Sequence, residues 1–165
     1  MILLSDAMVL MDLGYVQGID ALAGIAPVEV LDVVLQECHH LSQPGLVQSI
    51  MAAGIKEIAT PIELANLADE YRTIHDKLSF QDSLCLHYAK QNKRLLLTNE
   101  KQMRARCVAE SVQAHGTIWI MEQTHAKKLR TPVQLCQWIS ILSTKDRRLP
   151  KDEISRLKRS FGCGN

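Results

Sequence analysis

Met1-Ile2-Leu3-Leu4-Ser5-Asp6-Ala7-Met8-Val9-Leu10-Met11-Asp12 opens the chain with an apolar run that stops at a serine and a single carboxylate, then resumes at helical spacing. A short continuous apolar run reads as a strand covered on both faces, as inside a parallel sheet. Asp6 then falls at the carboxyl end of that strand. Open α/β sheets bind their ligands along that edge, so the reading turns on which other acids are delivered there.

Working outward, apolar residues recur at helical intervals from Ala7 to Gly24, broken by Gly14 and Gly18, which predicts two short helices around a turn. Pro27–Leu31 reads as a second strand, with Asp32 placed to cap a helix over Val33–His40. Leu46–Ala53 predicts a helix closed by Gly54, Ile55–Thr60 a weaker strand, and Pro61–His75 an amphipathic helix that starts on proline. Ser79-Phe80-Gln81-Asp82 has the form of a capping box before a helix that is apolar almost all round to Lys90. Lys93–Thr98 reads as a fourth strand, Lys101–Ala114 as a helix and Thr117–Ile120 as a last strand. The rest, to Phe161, reads as helices parted near Thr131-Pro132 and Leu149-Pro150. Strands alternating with helices predict a doubly wound, mostly parallel sheet.

With 165 residues, 47% apolar and 22% charged, the chain has the balance of one globular domain with a core of its own. Aromatics at 4% leave that core to aliphatic residues and argue against a stacking platform for single-stranded nucleic acid. The net charge of +1 hides an asymmetry: 4 Lys and Arg against 12 Asp and Glu through Lys90, then 15 against 6. Such a split suits a protein that gathers carboxylates in one place and meets a polyanion with another surface, although solvated charge is the plainer reading.

Cys38, Cys85, Cys107, Cys136 and Cys163 are odd in number and widely spaced, so neither a zinc site nor a disulfide framework is expected. The opening stretch lacks the form of a signal peptide, and no apolar run is long enough to span a bilayer. The expected setting is a reducing cytoplasm. No glycine-rich phosphate loop or nucleophile elbow occurs. The adjacent His39 and His40 diverge on a helix, and His75, His87, His115 and His125 read as ordinary residues.

Four acids occupy comparable places. Asp6 follows the first strand, Glu37 lies a turn beyond the second, Asp82 opens the buried helix and Glu100 follows the fourth strand. Singly, each has a plainer role: Asp6 and Asp82 as helix caps, Glu37 and Glu100 as solvated residues. Right-handed crossovers bring successive strand ends to one edge. Clustered carboxylates persist there by staying protonated or by holding a hard cation such as Mg²⁺ or Mn²⁺. Such an ion beside a basic rim suits hydrolysis of a phosphodiester. Thr98 and Asn99 are candidates to orient the attacking water, and Lys101, Arg104 and Arg106 to meet phosphates.

The same residues carry a family resemblance. Leu4-Ser5-Asp6, Val34-Leu35-Gln36-Glu37, Ser79-Phe80-Gln81-Asp82, Leu96-Leu97-Thr98-Asn99-Glu100 and His115-Gly116-Thr117-Ile118-Trp119 stand in the order of the PIN-domain ribonuclease motifs. The chain resembles in particular the single-domain toxins of prokaryotic toxin-antitoxin pairs, over about residues 1 to 121. The resemblance implies a Rossmann-like three-layer α/β sandwich over 1–125 with a C-terminal helical extension over 126–165 packed on it. It further implies bound Mg²⁺ or Mn²⁺, cleavage of RNA, a homodimer and, for a toxin, a cognate antitoxin partner; the lack of a long apolar run predicts no membrane association. Asp6, Glu37 and Asp82 are the acids it carries over; Glu100 departs from the family pattern, which has Asp there. The competing readings are a catalytically degenerate module that binds RNA or protein, and a nuclease of the same chemistry acting on DNA.

Overall fold

The opening apolar run forms strand β1 (Leu3–Ser5), followed by helices α1 (Ala7–Tyr15) and α2 (Ile19–Ile25). Strand β2 (Val28–Leu31), α3 (Asp32–Glu37), α4 (Leu46–Ala52), β3 (Lys56–Ile58), α5 (Ile62–Ile74) and α6 (Phe80–Asn92) come next. Then follow β4 (Leu95–Leu97), α7 (Lys101–Ala109), β5 (Ala114–His115), α8 (Thr117–Ala126), α9 (Pro132–Thr144) and α10 (Lys151–Phe161). These elements belong to a computed structural model that describes residues 1–40, 42–145 and 149–164.

The five strands are all parallel and lie in the order β3-β2-β1-β4-β5. Every residue of β1, β2 and β4 is buried, whereas the edge strands β3 and β5 are not. This is why the three central strands read as unbroken apolar runs and Lys56-Glu57 is tolerated in β3. Because β1 pairs with β2 on one side and β4 on the other, the chain reverses its direction of travel across the sheet between β1 and β4. Right-handed crossovers put α1 to α4 on one face and α5 to α7 on the other. Helices α8 and α9 return to pack on α1, which completes three layers.

Several boundaries differ from the sequence-based expectation. The last strand is Ala114–His115, and Thr117–Ile120 is instead the first turn of α8. The signal for this is not local: the Thr117 backbone N–H donates to Asn99 Oδ1 at 2.9 Å, a helix cap supplied from the end of β4. Helix α7 ends at Ala109 instead of Ala114, and Ser111 turns the backbone at φ 57°. Asp32 is the first residue of α3, not its cap. Its carboxylate accepts from the backbone N–H groups of Val33 (2.8 Å) and Thr60 (3.1 Å), and from the Thr60 hydroxyl, tying the exit of β3 to α3.

The C-terminal helices share the core of the sheet. Leu135, Trp138, Ile139, Leu142, Leu157 and Phe161 are buried in the same apolar cluster as Leu3 and Leu96. Trp138 packs so tightly over Gly18 that a Cβ there would stand 2.7 Å from its ring. Positions 146–148 and 165 of the expected extension lie outside the described residues. Among the described residues no helix is long and apolar enough to cross a membrane.

The cysteines correct the expectation of free thiols throughout: Cys136 on α9 and Cys163 after α10 form a disulfide, while Cys38, Cys85 and Cys107 are free and buried. Neither spacing nor motif marked the pair, because the antiparallel packing of two helices brings it together. The bond closes a loop with a sequence separation of 27. Cys136→Ser should therefore lower stability by about 3 kcal/mol, read as a drop in the urea midpoint that dithiothreitol produces in the wild type and not in the variant.

Candidate active site

The carboxyl ends of β1 and β4 meet where the Asp6 backbone N–H donates to the Leu97 carbonyl at 3.0 Å. Asp6 starts α1 as its N-cap, Oδ1 accepting the Val9 backbone N–H at 2.8 Å. Its other oxygen, Oδ2, is buried without a hydrogen-bond partner of ordinary geometry. Burial is the main force on this carboxyl and pushes its pKa up to about 7. The nearby Thr98 hydroxyl and the Val9 N–H pull the value down, and the charges of Asp82 and Asp12 add to the rise. Desolvation thus outweighs the favourable end of the α1 dipole.

Asp82 sits in the first turn of α6 and completes a reciprocal capping box, its backbone N–H donating to Ser79 Oγ at 3.0 Å and its Oδ2 accepting the Ser79 N–H at 3.3 Å. Both the capping role and the position at the acidic edge are real. Glu37 ends α3 with a largely exposed side chain whose carboxyl is nonetheless partly withdrawn from water, and this desolvation, followed by the Asp82 charge, raises its pKa. The fully buried Cys85 thiol lies in the field of all three acids and is raised well above its ordinary value, by burial first and then by Asp6, Asp82 and Glu37. Cys38 is pushed up to about 12 by burial, Glu37 and Asp6. Asp6, Glu37 and Asp82 thus all lie within electrostatic reach of the Cys85 thiol, and Asp6 and Glu37 of the Cys38 thiol as well.

Glu100 stands apart from this group. It is the exposed N-cap of α7, its backbone N–H donating to Thr98 Oγ1 at 3.2 Å, and it is not among the principal charges acting on Asp6 or Glu37. Among the described residues no three His, Cys, Asp or Glu side chains are spaced to hold a metal ion. Asp6 and Asp82 each spend an oxygen on a helix cap, and Glu37 and Glu100 extend into solvent. The acids share an edge without being drawn into one coordination sphere. Their all-oxygen chemistry and the unpartnered Asp6 Oδ2 nevertheless fit a hard divalent cation.

The basic candidates separate. Lys101 and Arg104 are exposed on α7, and Arg104 is near enough to affect Cys107, which Asp82 also affects. Arg106 is half-buried and donates to His75 Nδ1 at 3.3 Å, so that charge is engaged at the junction of α5 and α6. Thr98 and Asn99 act within the protein. The Thr98 backbone N–H donates to the His115 carbonyl at 2.8 Å, and Asn99 Nδ2 donates to Asp12 Oδ2 (2.9 Å) and Thr117 Oγ1 (2.7 Å). Gly116 makes room for this clamp, since a Cβ there would stand 2.3 Å from Asn99 Oδ1.

Two buried acids had no functional reading in the sequence. Asp12, on the buried face of α1, anchors the Asn99 clamp; an acid among Val9, Leu10 and Leu13 was the available signal. Glu29, inside β2, is met by Arg94 through Nε (2.9 Å) and Nη2 (3.1 Å) and by the Tyr88 hydroxyl (3.2 Å). Its charge is fully partnered, which marks it as structural. A cavity of about 710 Å³ lies away from these acids between α1, α2 and α4, lined by Tyr15, Ser42, Gln43 and Leu46 among others.

The family model for DUF3368, a PIN domain, matches residues 2–162. The chain belongs to the PIN-domain family. The match continues beyond the motifs that carry the resemblance, so the helices after residue 121 lie within the family's span. A similar solved structure is the crystal structure of PAE2754 from Pyrobaculum aerophilum, 13% identical with a TM-score of 0.58, covering 76% of this chain and 99% of that one. At that identity the likeness is one of fold. No curated protein matches the chain significantly.

PIN domains are generally metal-dependent nucleases, and two properties of this PIN domain follow from its acidic edge. The folded Asp6 carboxyl titrates near 7 against 3.8 for an ordinary one. The native state thus holds an extra proton between those values, and the metal-free protein loses stability as pH rises from about 4 to about 7, then levels off. The full span corresponds to about 4 kcal/mol. Asp6→Asn should abolish this slope in urea denaturation series run in EDTA from pH 5 to 8; an unchanged slope would assign it to another group. Asn99→Ala removes the clamp between Asp12 and α8, and a loss of about 2–3 kcal/mol is expected in the same assay.

Proposed function

We propose that this PIN domain is a metal-dependent endoribonuclease that hydrolyses RNA phosphodiester bonds, serving as the toxin of a toxin-antitoxin pair. The observation that carries the reading is Asp6: a carboxylate at the switch point of the sheet, with one buried oxygen unpartnered, in the field of Asp82, whose charge also acts on Glu37. Asp6, Glu37 and Asp82 would hold Mg²⁺ or Mn²⁺, while Glu100, expected from the sequence to join them, would contribute only through solvent from the start of α7. A divalent ion there supplies Lewis acidity, activating water and neutralising charge on the phosphate. The Val9 N–H fixes the Asp6 carboxyl in place, and Thr98 supports it from β4. Lys101 and Arg104 draw phosphates towards an otherwise repulsive acidic edge.

Of the finer parts of the reading, an antitoxin partner and a homodimer rest on family likeness, and a cytoplasmic setting on the cysteine pattern and the form of the opening stretch. The Cys136–Cys163 bond runs against the last of these, since reducing compartments keep such thiols apart. A second reading, a binding module without chemistry, is favoured by the exposure of Glu100 and the absence of three acids at coordination spacing among the described residues.

The test is cleavage of a labelled single-stranded RNA in Mn²⁺, with single-stranded DNA as the parallel substrate. Asp6→Asn and Asp82→Asn should retain the wild-type circular dichroism and lose more than the roughly 100-fold that removal of an outer-shell partner costs. Equal cleavage by Asp6→Asn refutes the assignment. Calorimetric titration of the wild type with Mn²⁺ should reveal a site that Asp82→Asn lacks; a wild type that binds no Mn²⁺ is the outcome the binding module requires.

A further inference from the structure

The row across the sheet that ends at the acids continues to an aromatic pair. Ser5 pairs with Leu97 and Leu97 with His115, so His115 is in register with the residue before Asp6, about 10 Å away at the usual strand spacing. The His115 ring lies flat against Trp119, one helical turn on in α8, with centroids 4.7 Å apart and planes within 5°. Both rings are half-buried, on the same carboxyl edge as the acids. Burial and the Arg104 charge lower the His115 pKa, against the opposing pull of Glu122, so the ring is a neutral aromatic at pH 7.

Arg104 stands beside the rings. Its charge acts on Cys107 together with that of Asp82, and it acts on His115. Its Nη1 lies 3.5 Å from where a Cβ of Gly116 would be, beside the Asn99 clamp. The same edge therefore carries the acids at one end of the row and, two strands on, the stacked rings with a guanidinium beside them. This pattern matches the backbone and the bases of a single strand: a cation for phosphate next to a flat π-surface. A duplex, with its bases already stacked inside, has nothing to lay on such a surface.

We propose that His115 and Trp119 form a base-stacking shelf and Arg104 a phosphate contact, which together seat an unpaired nucleotide of single-stranded RNA beside the acidic edge. The count of aromatics hid this shelf, because two rings in one place serve a function that sparse rings elsewhere do not. The proposal deepens the ribonuclease reading and rests on it, but its test requires no cleavage. Trp119 and the buried Trp138 are the only tryptophans, so emission changes on binding report on Trp119.

The full-length protein in EDTA is titrated with an unlabelled oligoadenylate 12-mer while tryptophan emission is followed, and affinity is measured by anisotropy of the fluorescein-labelled 12-mer. The wild type should show quenching, and prefer the single strand to an RNA duplex of equal length. Trp119→Leu should weaken binding about ten- to hundredfold, Trp119→Phe should bind within about threefold of the wild type, and Arg104→Gln should reduce the slope of log K against log salt by about 0.7. The shelf is overturned if Trp119→Leu binds as tightly as the wild type, if the wild type binds without a change in emission, or if it does not bind the 12-mer at all. Should Trp119→Leu fail to fold, the wild-type emission and the Trp119→Phe affinity decide the matter. Loss of the shelf with cleavage intact removes this inference alone, whereas stacking without Mn²⁺ cleavage removes the ribonuclease reading and leaves the shelf.

Discussion

Asp6 lies where the backbone of the central strand stops and that of the first helix begins, and both demand something of it. Its N–H closes the ladder to Leu97, and one carboxylate oxygen closes the first turn of α1 at Val9. The second oxygen is left inside the protein, where burial makes its charge costly and holds the carboxyl up to about 7. The Thr98 hydroxyl and the Val9 N–H offset only part of that cost, and no cationic side chain of the described residues is among the charges acting on it. A cation arriving at this edge meets a site that the fold has left electrostatically unfinished.

Glu29 shows what a finished site looks like. It too is a buried carboxylate on a central strand, yet Arg94 grips both its oxygens and Tyr88 adds a third donor. Both carboxylates are withdrawn from water, and the difference lies in their partners. The same contrast separates Arg106, engaged with His75, from Lys101 and Arg104, which remain exposed on α7. Around Asp6 the protein has invested its hydrogen bonds in position instead of neutralisation, with the Asp12-Asn99-Thr117 clamp fixing the β4 exit against α8. The rigid frame and the unneutralised edge belong to one design.

The doubly wound sheet and the order of its elements were legible because β1, β2 and β4 are buried on both faces and show it as apolar runs, while the capping box at Ser79 announces α6. Asp6, Glu37 and Asp82 were legible as a set because their positions relative to those elements are local facts. Thr117–Ile120 misread as a strand for the complementary reason: Ile118, Trp119 and Ile120 are apolar enough for either structure, and the cap that makes them helical comes from Asn99, far away in sequence.

By itself, then, the order of residues determined most of the strands and helices, and which acids follow strand ends, since burial and capping mostly act over a few residues; the helix from Thr117, capped from Asn99, is the exception. Only the tertiary structure decided that Cys136 meets Cys163, that Asp12 braces Asn99, that Glu100 stands outside the group around Asp6, and that His115 and Trp119 lie flat beside Arg104. Each of these joins elements whose separation is set by packing, and a periodic pattern carries the period of its own element but no information about the neighbour it will touch.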